Sequence, residues 1–329
     1  MTVVRKVRLR TLRWWKKYKL VWLALLGWTI MGAAALFFLG YNVLDLRGGL
    51  PKIEPLYEEK VELAAVEEIV VQAEGVRLEM AESYHVRDLT IQLYGADYQG
   101  QEVAYQEEEG KLYLYYQPYP ITANAYGYHQ EPEVVLRLLF PADQYRLITV
   151  QGNWLVGEFR QMATELLDLQ IAHGSIFVVD SNLDRLQIVT TDSEVNLQDN
   201  QIIQFKLDNL AGESILYNNE ITYWLYNSLW GNLDSWSKKI KGNWQLSCRW
   251  GDISLATKKQ PDNLLLDIWS KRGVIEVGYD KDAWENIMDT ACQEGHLQAK
   301  IGQGKNILTI ENREGKTSLA QDKKRFVYE

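Results

Sequence analysis

The residues best suited to bond chemistry are carboxylates that gather within one short stretch of the chain. They are Asp180, Asp184, Asp192, Glu194 and Asp199. Two carboxyl groups held at the right separation can cleave a glycosidic bond, one as general acid and the other as base or nucleophile. Sequence spacing does not fix that separation, and acidic residues at turns are usually just solvated. The stretch keeps a polysaccharide-active enzyme open as the alternative function, with solvated turns as the favoured interpretation.

The other residue types used in catalysis form no known pattern. No serine or cysteine nucleophile motif accompanies any of the four scattered histidines, His85, His129, His173 and His296. The sequence also lacks a glycine-rich phosphate loop, an HExxH helix, an EF-hand loop and the calcium-binding β-helix repeat. The two cysteines, Cys248 and Cys292, are too few for a disulfide scaffold. A single bridge between them is the alternative outside the cytosol, and two small buried side chains are the favoured interpretation. We predict no enzyme activity, no cofactor and no metal site.

A second kind of candidate site is aromatic. Trp230, Trp250 and Arg272 recur at intervals of 20 and 22 residues. At equivalent positions of a repeat they would form one column, ring on ring with the guanidinium over the second ring. Flat aromatic rows suit sugar rings, so these three residues are the candidate ligand-binding residues. Such a ladder also arises from a repeat itself and stabilises its stack, and this structural role is the favoured interpretation.

The elements that would position such columns form a repeat over about residues 147–319. Each copy has two pairs of alternating apolar residues around a short break with glycine, recurring every 18–22 residues except for a final step of 42. The second pairs are Trp154/Val156, Ile176/Val178, Val195/Leu197, Ile215/Tyr217, Leu233 (alone), Ile253/Leu255, Ile275/Val277 and Thr317/Leu319. The copy at Ile215 is displaced by one residue, as a single-residue bulge would make it. Period-2 segments in a repeat of about twenty residues predict a β-solenoid.

We therefore predict an all-β fold for residues 61–329, a single-stranded right-handed β-solenoid with rungs of about 20 residues. Period-2 runs between residues 61 and 140 are expected to form the entry end of the same sheet system. Between Val277 and Leu308 the rhythm breaks. The helical spacing of Trp284, Ile287, Met288 and Ala291, with Asp282 placed to cap, predicts one amphipathic helix at about 282–293.

A membrane anchor is predicted ahead of the solenoid. Residues 1–19 carry eight Lys or Arg and no acid, and the 25 residues 20–44 carry no charge. Such a helix spans roughly 37 Å, enough for a bilayer core of about 30 Å. The interface residues would be Trp14, Trp15, Lys16 and Lys17, and the basic flank would hold the N-terminus in the cytosol. Residues 45–60, with Gly and Pro, are expected to form a short stalk.

The anchor prediction sets the expected location and partners. Ala33–Ala35 could instead be a signal-peptide cleavage site, but the chain stays apolar after it, so an uncleaved, single-pass signal anchor is favoured. Residues 1–19 carry a net charge of +8 and the whole chain carries −9, so the net charge of the extracytoplasmic body is −17. That charge argues against nucleic acid and has the wrong sign for a lyase on acidic sugars. The expected partners are membrane lipids through the N-terminal helix, and a cell-wall polymer or envelope protein.

Three features together resemble a known family. They are the basic head with its signal anchor, the segment Val134-x-Leu136-x-Leu138-x-Phe140-Pro141, and the copies ending in residues 301–309 (IGQGKNILT). With these features the chain resembles the LiaG-like family of bacterial, adhesin-like, membrane-anchored β-solenoid proteins. The similarity covers most of the chain from about Val61 onward. The resemblance implies this fold and a cell-envelope setting, for some members an envelope-stress setting, and it implies no catalytic residues. We expect a non-catalytic protein that displays a solenoid for binding or scaffolding.

Overall fold

The structure, a computed structural model, describes residues 55–62, 66–95, 102–117, 134–142, 145–279, 285–288 and 295–321. The predicted tail (1–19), transmembrane segment (20–44), most of the stalk (45–60) and Cys292 lie outside those ranges, as do the interface residues Trp14, Trp15, Lys16 and Lys17. In the described part, no helix is long and apolar enough to cross a membrane. Every regular element there is a β-strand, which confirms the all-β prediction.

Twenty strands within the described ranges form one continuous sheet system. The first seven are β1 (Tyr57–Val61), β2 (Glu68–Ala73), β3 (Val76–Ser83), β4 (Leu89–Tyr94), β5 (Glu102–Glu108), β6 (Lys111–Gln117) and β7 (Val135–Pro141). Five long central strands are each most of a rung: β8 (Leu147–Arg160), β9 (Ala163–Val179), β10 (Asn182–Gln198), β11 (Gln201–Tyr217) and β12 (Glu220–Ser237). The last eight are β13 (Asn243–Trp250), β14 (Ile253–Thr257), β15 (Leu264–Ser270), β16 (Val274–Gly278), β17 (Glu285–Met288), β18 (His296–Ile301), β19 (Asn306–Glu314) and β20 (Lys316–Gln321).

The central rungs stack in parallel and in chain order. Ala163 lies beside Asn182, Asn182 beside Gln201, and Gln201 beside Glu220, so the repeat is 19 residues there. It lengthens to 20 where Tyr223 of β12 pairs with Asn243 of β13. The predicted solenoid with rungs of about 20 residues is therefore confirmed, and its right-handed coiling stays a prediction.

Each central rung has three sides rather than the two that the sequence repeat suggested. In β10, buried and exposed residues alternate except at two pairs of consecutive exposed residues, Asp184–Arg185 and Thr191–Asp192. A third break follows at Asp199, which adopts a positive φ of 56°. Alternation reverses at each bend because the next side faces another direction. The short third side of this rung buries only Ser181 and Leu183, too few residues for a period-2 signal.

Inside the rungs, large and small side chains balance one another. One buried column consists of Leu167, Leu186, Phe205, Trp224 and Trp244, so side-chain size increases along the stack. The rungs that hold Phe205 and Trp224 also bury the small residues Ser214, Ser235 and Ser237. Close packing requires this compensation, because a rung has a nearly fixed cross-section.

Two copies of the repeat are shifted from their predicted positions. In β8 the inward pair is Gly157 and Phe159 rather than Trp154 and Val156, since Gly157 lies beside Ile176. In β11 the inward pair is Ser214 and Leu216, and the ladder shows no register shift, so the predicted bulge at Ile215 is wrong. Both errors have one cause. A Gly or Ser fills an inward position, so the neighbouring outward residues match the alternating apolar pattern better than the inward ones do.

At the two ends, rungs do not stack in chain order. Strands β13 and β14 pair with β19 and β20, and β15 and β16 pair with the far side of those strands. The last rung in the sequence, β19 with β20, therefore lies between the rung of β13 and β14 and the rung of β15 and β16. The other end mirrors this arrangement, because β2 and β3 lie between β8 and the later strands β6 and β7.

Antiparallel strands cover these outer rungs. Strand β5 pairs with β6, β4 with β7, and β1 with β4, while β18 pairs with β15 and β17 with β18. The helix predicted at about 282–293 is wrong where it can be compared, since Glu285–Met288 is a strand; the rest of that interval lies outside the described residues. Four apolar residues at helical spacing are too short a pattern to exclude a strand of four residues.

Candidate functional site

The glycine-containing bend of each rung builds an outward ridge along the solenoid. We define the bend ridge as the column of residues Trp154, His173, Asp192, Ala211, Trp230, Trp250, Glu314 and Arg272. The bend brings backbones of neighbouring rungs close together at Gly251, whose φ is +150° and where a Cβ would lie 2.2 Å from the carbonyl oxygen of Gly231. Only glycine fits there, so the residue just before it is held in a fixed, outward position.

Two tryptophans of the bend ridge, the exposed Trp230 and the half-buried Trp250, stack on one another. The ring centroids of Trp230 and Trp250 are 5.3 Å apart, with 14° between the ring planes. Trp230 remains 55% exposed, whereas the core residue Trp244 is 1% exposed. The predicted ring-on-ring pair is therefore present, and ligand binding by it stays a prediction.

Arg272 is not next to the pair, contrary to the predicted column. Because the end rungs are exchanged, Glu314 lies beside Trp250 and Arg272 follows one rung later. The guanidinium of Arg272 instead contacts the carboxylate of Glu314 at 3.5 Å. The cation over the Trp250 ring is Arg249, whose guanidinium carbon lies 4.1 Å from the ring centroid. A contact between residues adjacent in the chain carries no repeat signal, which is why the sequence reading missed Arg249.

Beside the bend ridge, cations follow one another on successive rungs. Arg249, Arg313 and Lys271 occupy neighbouring positions, and the backbone N–H of Arg272 donates to the carbonyl of Arg313 at 2.9 Å. The nearby carboxylate of Glu311 pairs with Arg313 at 3.1 Å. This end of the ridge therefore presents aromatic rings next to guanidinium groups, on a body whose net charge is strongly negative.

The acidic cluster predicted from the sequence does not form one site. Asp184 and Asp192 lie at different bends of the same rung, and Asp180 and Asp199 occupy the third bend on consecutive rungs. Asp180 and Asp199 have positive φ values of 52° and 56°, as corner residues. Asp199 already accepts hydrogen bonds from the side-chain amides of Asn218 and Gln198. Among the described residues, no group of His, Cys, Asp and Glu could hold a metal ion.

A buried amide ladder at this corner was missed by the sequence reading. Asn200 is 1% exposed, and its side-chain N–H groups donate to the carbonyl of Val178 at 2.8 Å and to Oδ1 of Asn219 at 2.9 Å. Its Oδ1 accepts the backbone N–H of Ser181 at 2.9 Å. The signal lay in the Asp-Ser, Asp-Asn and Asn-Asn pairs that begin at residues 180, 199 and 218.

The remaining chemistry-bearing residues have structural settings. Cys248 is a free, buried thiol whose Sγ donates to the carbonyl of Gly231 at 3.3 Å, and burial raises its pKa. The predicted small buried role is confirmed for Cys248. His296 lies at the capped end, where Nε2 is 2.7 Å from Oδ1 of Asp267 and the ring stacks on Trp269 at 3.6 Å.

Comparison with known proteins gives one family match. A family model described as Toastrack DUF4097 matches residues 66–320, and no curated protein matches. Similar solved structures include a candidate cell adhesion protein from Clostridium sporogenes ATCC 15579, with 10% identity, 82% of this chain and 100% of that chain covered, and a TM-score of 0.30. Two candidate adhesins are also similar. The Parabacteroides merdae ATCC 43184 protein has 9% identity, coverage of 80% and 96%, and a TM-score of 0.43. The Bacteroides fragilis NCTC 9343 protein has 15% identity, coverage of 81% and 95%, and a TM-score of 0.34.

Proposed function

Since this chain belongs to the Toastrack DUF4097 family, we propose that it is a non-catalytic binding protein that displays its β-solenoid at the cell envelope from an N-terminal membrane anchor. The membership confirms the resemblance to an adhesin-like family, while the narrower LiaG-like assignment stays a prediction. The anchor rests on the sequence of residues 1–44, a basic tail followed by 25 uncharged residues.

The observation that carries the binding role is the tryptophan pair, in which Trp230 is exposed and Trp250 half-buried. Stacking contributes only about 0.5–1.5 kcal/mol beyond the area that it buries, so stabilisation alone is a weak reason to hold Trp230 more than half in water. Tryptophan and arginine are also the residues enriched at binding hot spots. A rigid bend holds both rings nearly parallel, so a flat ligand loses little freedom to the protein's own ordering.

The chemistry of the bend ridge favours a carbohydrate polymer with negative charges. Pyranose rings present flat C–H faces that stack on an indole, for which Trp230 is 55% exposed, and Arg249 over the Trp250 ring supplies a charge-assisted donor for carboxylate or phosphate. Glu311 and Glu314 are each paired with an arginine, which lowers their repulsion of an anionic chain. An anionic cell-wall polymer meets these requirements.

The row of cations also keeps the enzyme alternative open to test. A lyase acting on acidic sugars would need such a row together with a free base or a carboxylate pair. The two carboxylates beside the row are instead held in ion pairs with Arg313 and Arg272. We favour binding for this reason, and the assay below includes a readout for cleavage.

The test is binding of full-length protein in lipid nanodiscs to purified anionic cell-wall polymer, with wild type compared with Trp230→Ala/Trp250→Ala. The matched control is Tyr223→Ala, which removes a 53% exposed aromatic side chain at the bend equivalent to Arg185 of β10, away from the bend ridge. We expect the double variant to lose at least about tenfold in affinity, a hot-spot-sized loss, while its melting temperature changes little and the control binds normally.

Equal binding by the double variant and wild type would refute the ridge as a recognition surface. A double variant that melts much earlier would assign the pair a structural role instead. Release of new reducing or unsaturated sugar ends by the wild-type protein would replace the binding proposal by the enzyme alternative.

A further inference from the structure

A second candidate surface lies near the other end of the solenoid, beside the Trp154 and His173 end of the bend ridge. A shallow groove of about 560 Å³ runs across the glycine bends of β2, β8 and β9. On one side stand three glutamines at equivalent positions of consecutive rungs, Gln72, Gln151 and Gln170. Their amides are joined by hydrogen bonds of 3.3 Å and 3.4 Å.

The groove exists because two consecutive rungs carry almost no side chain at the bend. Ala73 and Gly152 occupy a column in which the next rungs carry Ile171 and Thr190. At Gly152 a Cβ would lie 2.4 Å from the carbonyl oxygen of Ala73, so the close approach of the backbones requires glycine. The space over both residues therefore stays open.

The polar groups that face the groove are side chains at the bends. Asn153 and Thr191 are exposed and line the groove together with the three glutamines. Tyr116 lies beside Ala73 on the next rung and also lines the groove, but it is 1% exposed and its hydroxyl is closed to solvent. The Tyr116 hydroxyl therefore does not meet an occupant, and the exposed amides and hydroxyls favour a polar one.

We infer that this amide groove binds a neutral glycan chain. Of the lining residues only Glu74 carries a charge, and its carboxylate already accepts the backbone N–H of Asn153 at 2.9 Å. The three glutamine amides offer donors and acceptors spaced by about 4.8 Å, the rung separation, which suits a row of sugar hydroxyls. Tyr115, 39% exposed, adds an aromatic face at the same end.

An extended peptide fits this groove less well. Strand addition needs an unpaired sheet edge, but β2 is paired with β6 and β8, and β9 with β8 and β10. The peptide would have to be held by its side chains, and the groove offers amides in place of apolar pockets. The groove adjoins the Trp154 end of the bend ridge and does not include Trp230 or Trp250, so either proposal can fail without the other.

The test measures binding of tetra-N-acetylchitotetraose and maltotetraose to the full-length protein in nanodiscs, by saturation-transfer NMR titration. Tetragalacturonate is the anionic comparison, and a Gly-Ser octapeptide is the peptide comparison. The variants are Gln151→Leu, Gln72→Leu and Tyr116→Phe. Gln245→Leu, the same change at an exposed position on the same face away from the groove, is the matched control.

We expect at least one neutral tetrasaccharide to bind, with Gln151→Leu weakening it by about tenfold and Tyr116→Phe, which removes a hydroxyl closed to solvent, leaving it unchanged. Gln245→Leu and the Trp230→Ala/Trp250→Ala protein should bind it like wild type. The inference is overturned if neither neutral probe binds, if the octapeptide binds better, or if Gln72→Leu and Gln151→Leu both match the Gln245→Leu control. Loss of neutral-sugar binding in the tryptophan variant alone would also overturn it, by assigning that binding to the bend ridge.

Discussion

The buried Asn200 amide should be one of the most sensitive positions of the solenoid. Asn200→Ala removes two donated hydrogen bonds and one accepted from Ser181. At about 1 kcal/mol each, with a further 1–3 kcal/mol roughly for stranding the buried N–H of Ser181, the expected loss is about 4–6 kcal/mol. For a domain of this size that lowers the melting temperature by about 10 °C. Exposed Asn182→Ala should stay within about 0.5 kcal/mol of wild type.

Chemical denaturation and thermal melts of both variants measure this difference. Asn200→Asp adds a sharper version, because a carboxylate would face the carbonyl of Val178 and Oδ1 of Asn219, both acceptors. Burial and these neighbours would raise the pKa of that Asp above its ordinary value near 4. Its stability would then be highest below about pH 4 and would fall as the pH rises toward 7. If Asn200→Ala costs no more than Asn182→Ala, or if Asn200→Asp shows no such pH dependence, water replaces the amide and the ladder is not a structural element.

Three further predictions concern the bends and buried ionisable groups. Gly251→Ala should destabilise the fold severely, since its Cβ would lie 2.2 Å from a carbonyl oxygen, while Gly278→Ala, with its nearest atom at 3.5 Å, should be tolerated; denaturant melts compare the two. Cys248 should react slowly with a thiol reagent in the native protein and quickly after unfolding, because burial raises its pKa; a Cys292→Ser background isolates the signal. Ionisation of buried tyrosines should lower the free energy of unfolding only above about pH 10. The loss should be roughly 1.4 kcal/mol per pH unit per buried phenol as the pH rises toward 12, which absorbance at alkaline pH and parallel melts would show. Burial raises the pKa to about 12 for three tyrosines, Tyr116, Tyr145 and Tyr279.

The sequence was most informative where one side chain type recurs at one place in every rung. The columns Ile253–Thr317 and Ile275–Thr317 were aligned correctly from their glycines and apolar pairs. The order in which the rungs stack could not be predicted. A parallel rung offers the same pattern of donors, acceptors and apolar side chains on both of its edges, so nothing in a repeat says which copy lies on which side. The final step of 42 residues is the only sign of the exchanged end rungs in the sequence, and an inserted helix explains such a step equally well.

The same limitation explains the partial success at the candidate site. Trp230 and Trp250 share a repeat position on rungs that stack in chain order, so their contact was predictable. Arg272 shares the position too, but the exchanged rungs put Glu314 between it and Trp250. The Gln72–Gln151 contact was not predictable, because the rung of β2 is separated from β8 in the chain by β3 to β7.

The exchanged end rungs also bear on where partners can bind. If the rungs stacked in chain order, the last strand would be the outermost, and its open parallel edge would invite pairing with another chain. Instead β19 has β13 on one side and β15 on the other, and the outer edge of β15 is covered by the antiparallel strand β18. At the opposite end β5 covers β6 and β4 covers β7 in the same way. Backbone pairing at these covered edges is thereby blocked, whereas the bend ridge and the amide groove lie on lateral surfaces whose strands are already paired. Side-chain recognition on those surfaces is therefore the mode of binding that this architecture favours, and it is the mode that both sets of variants test.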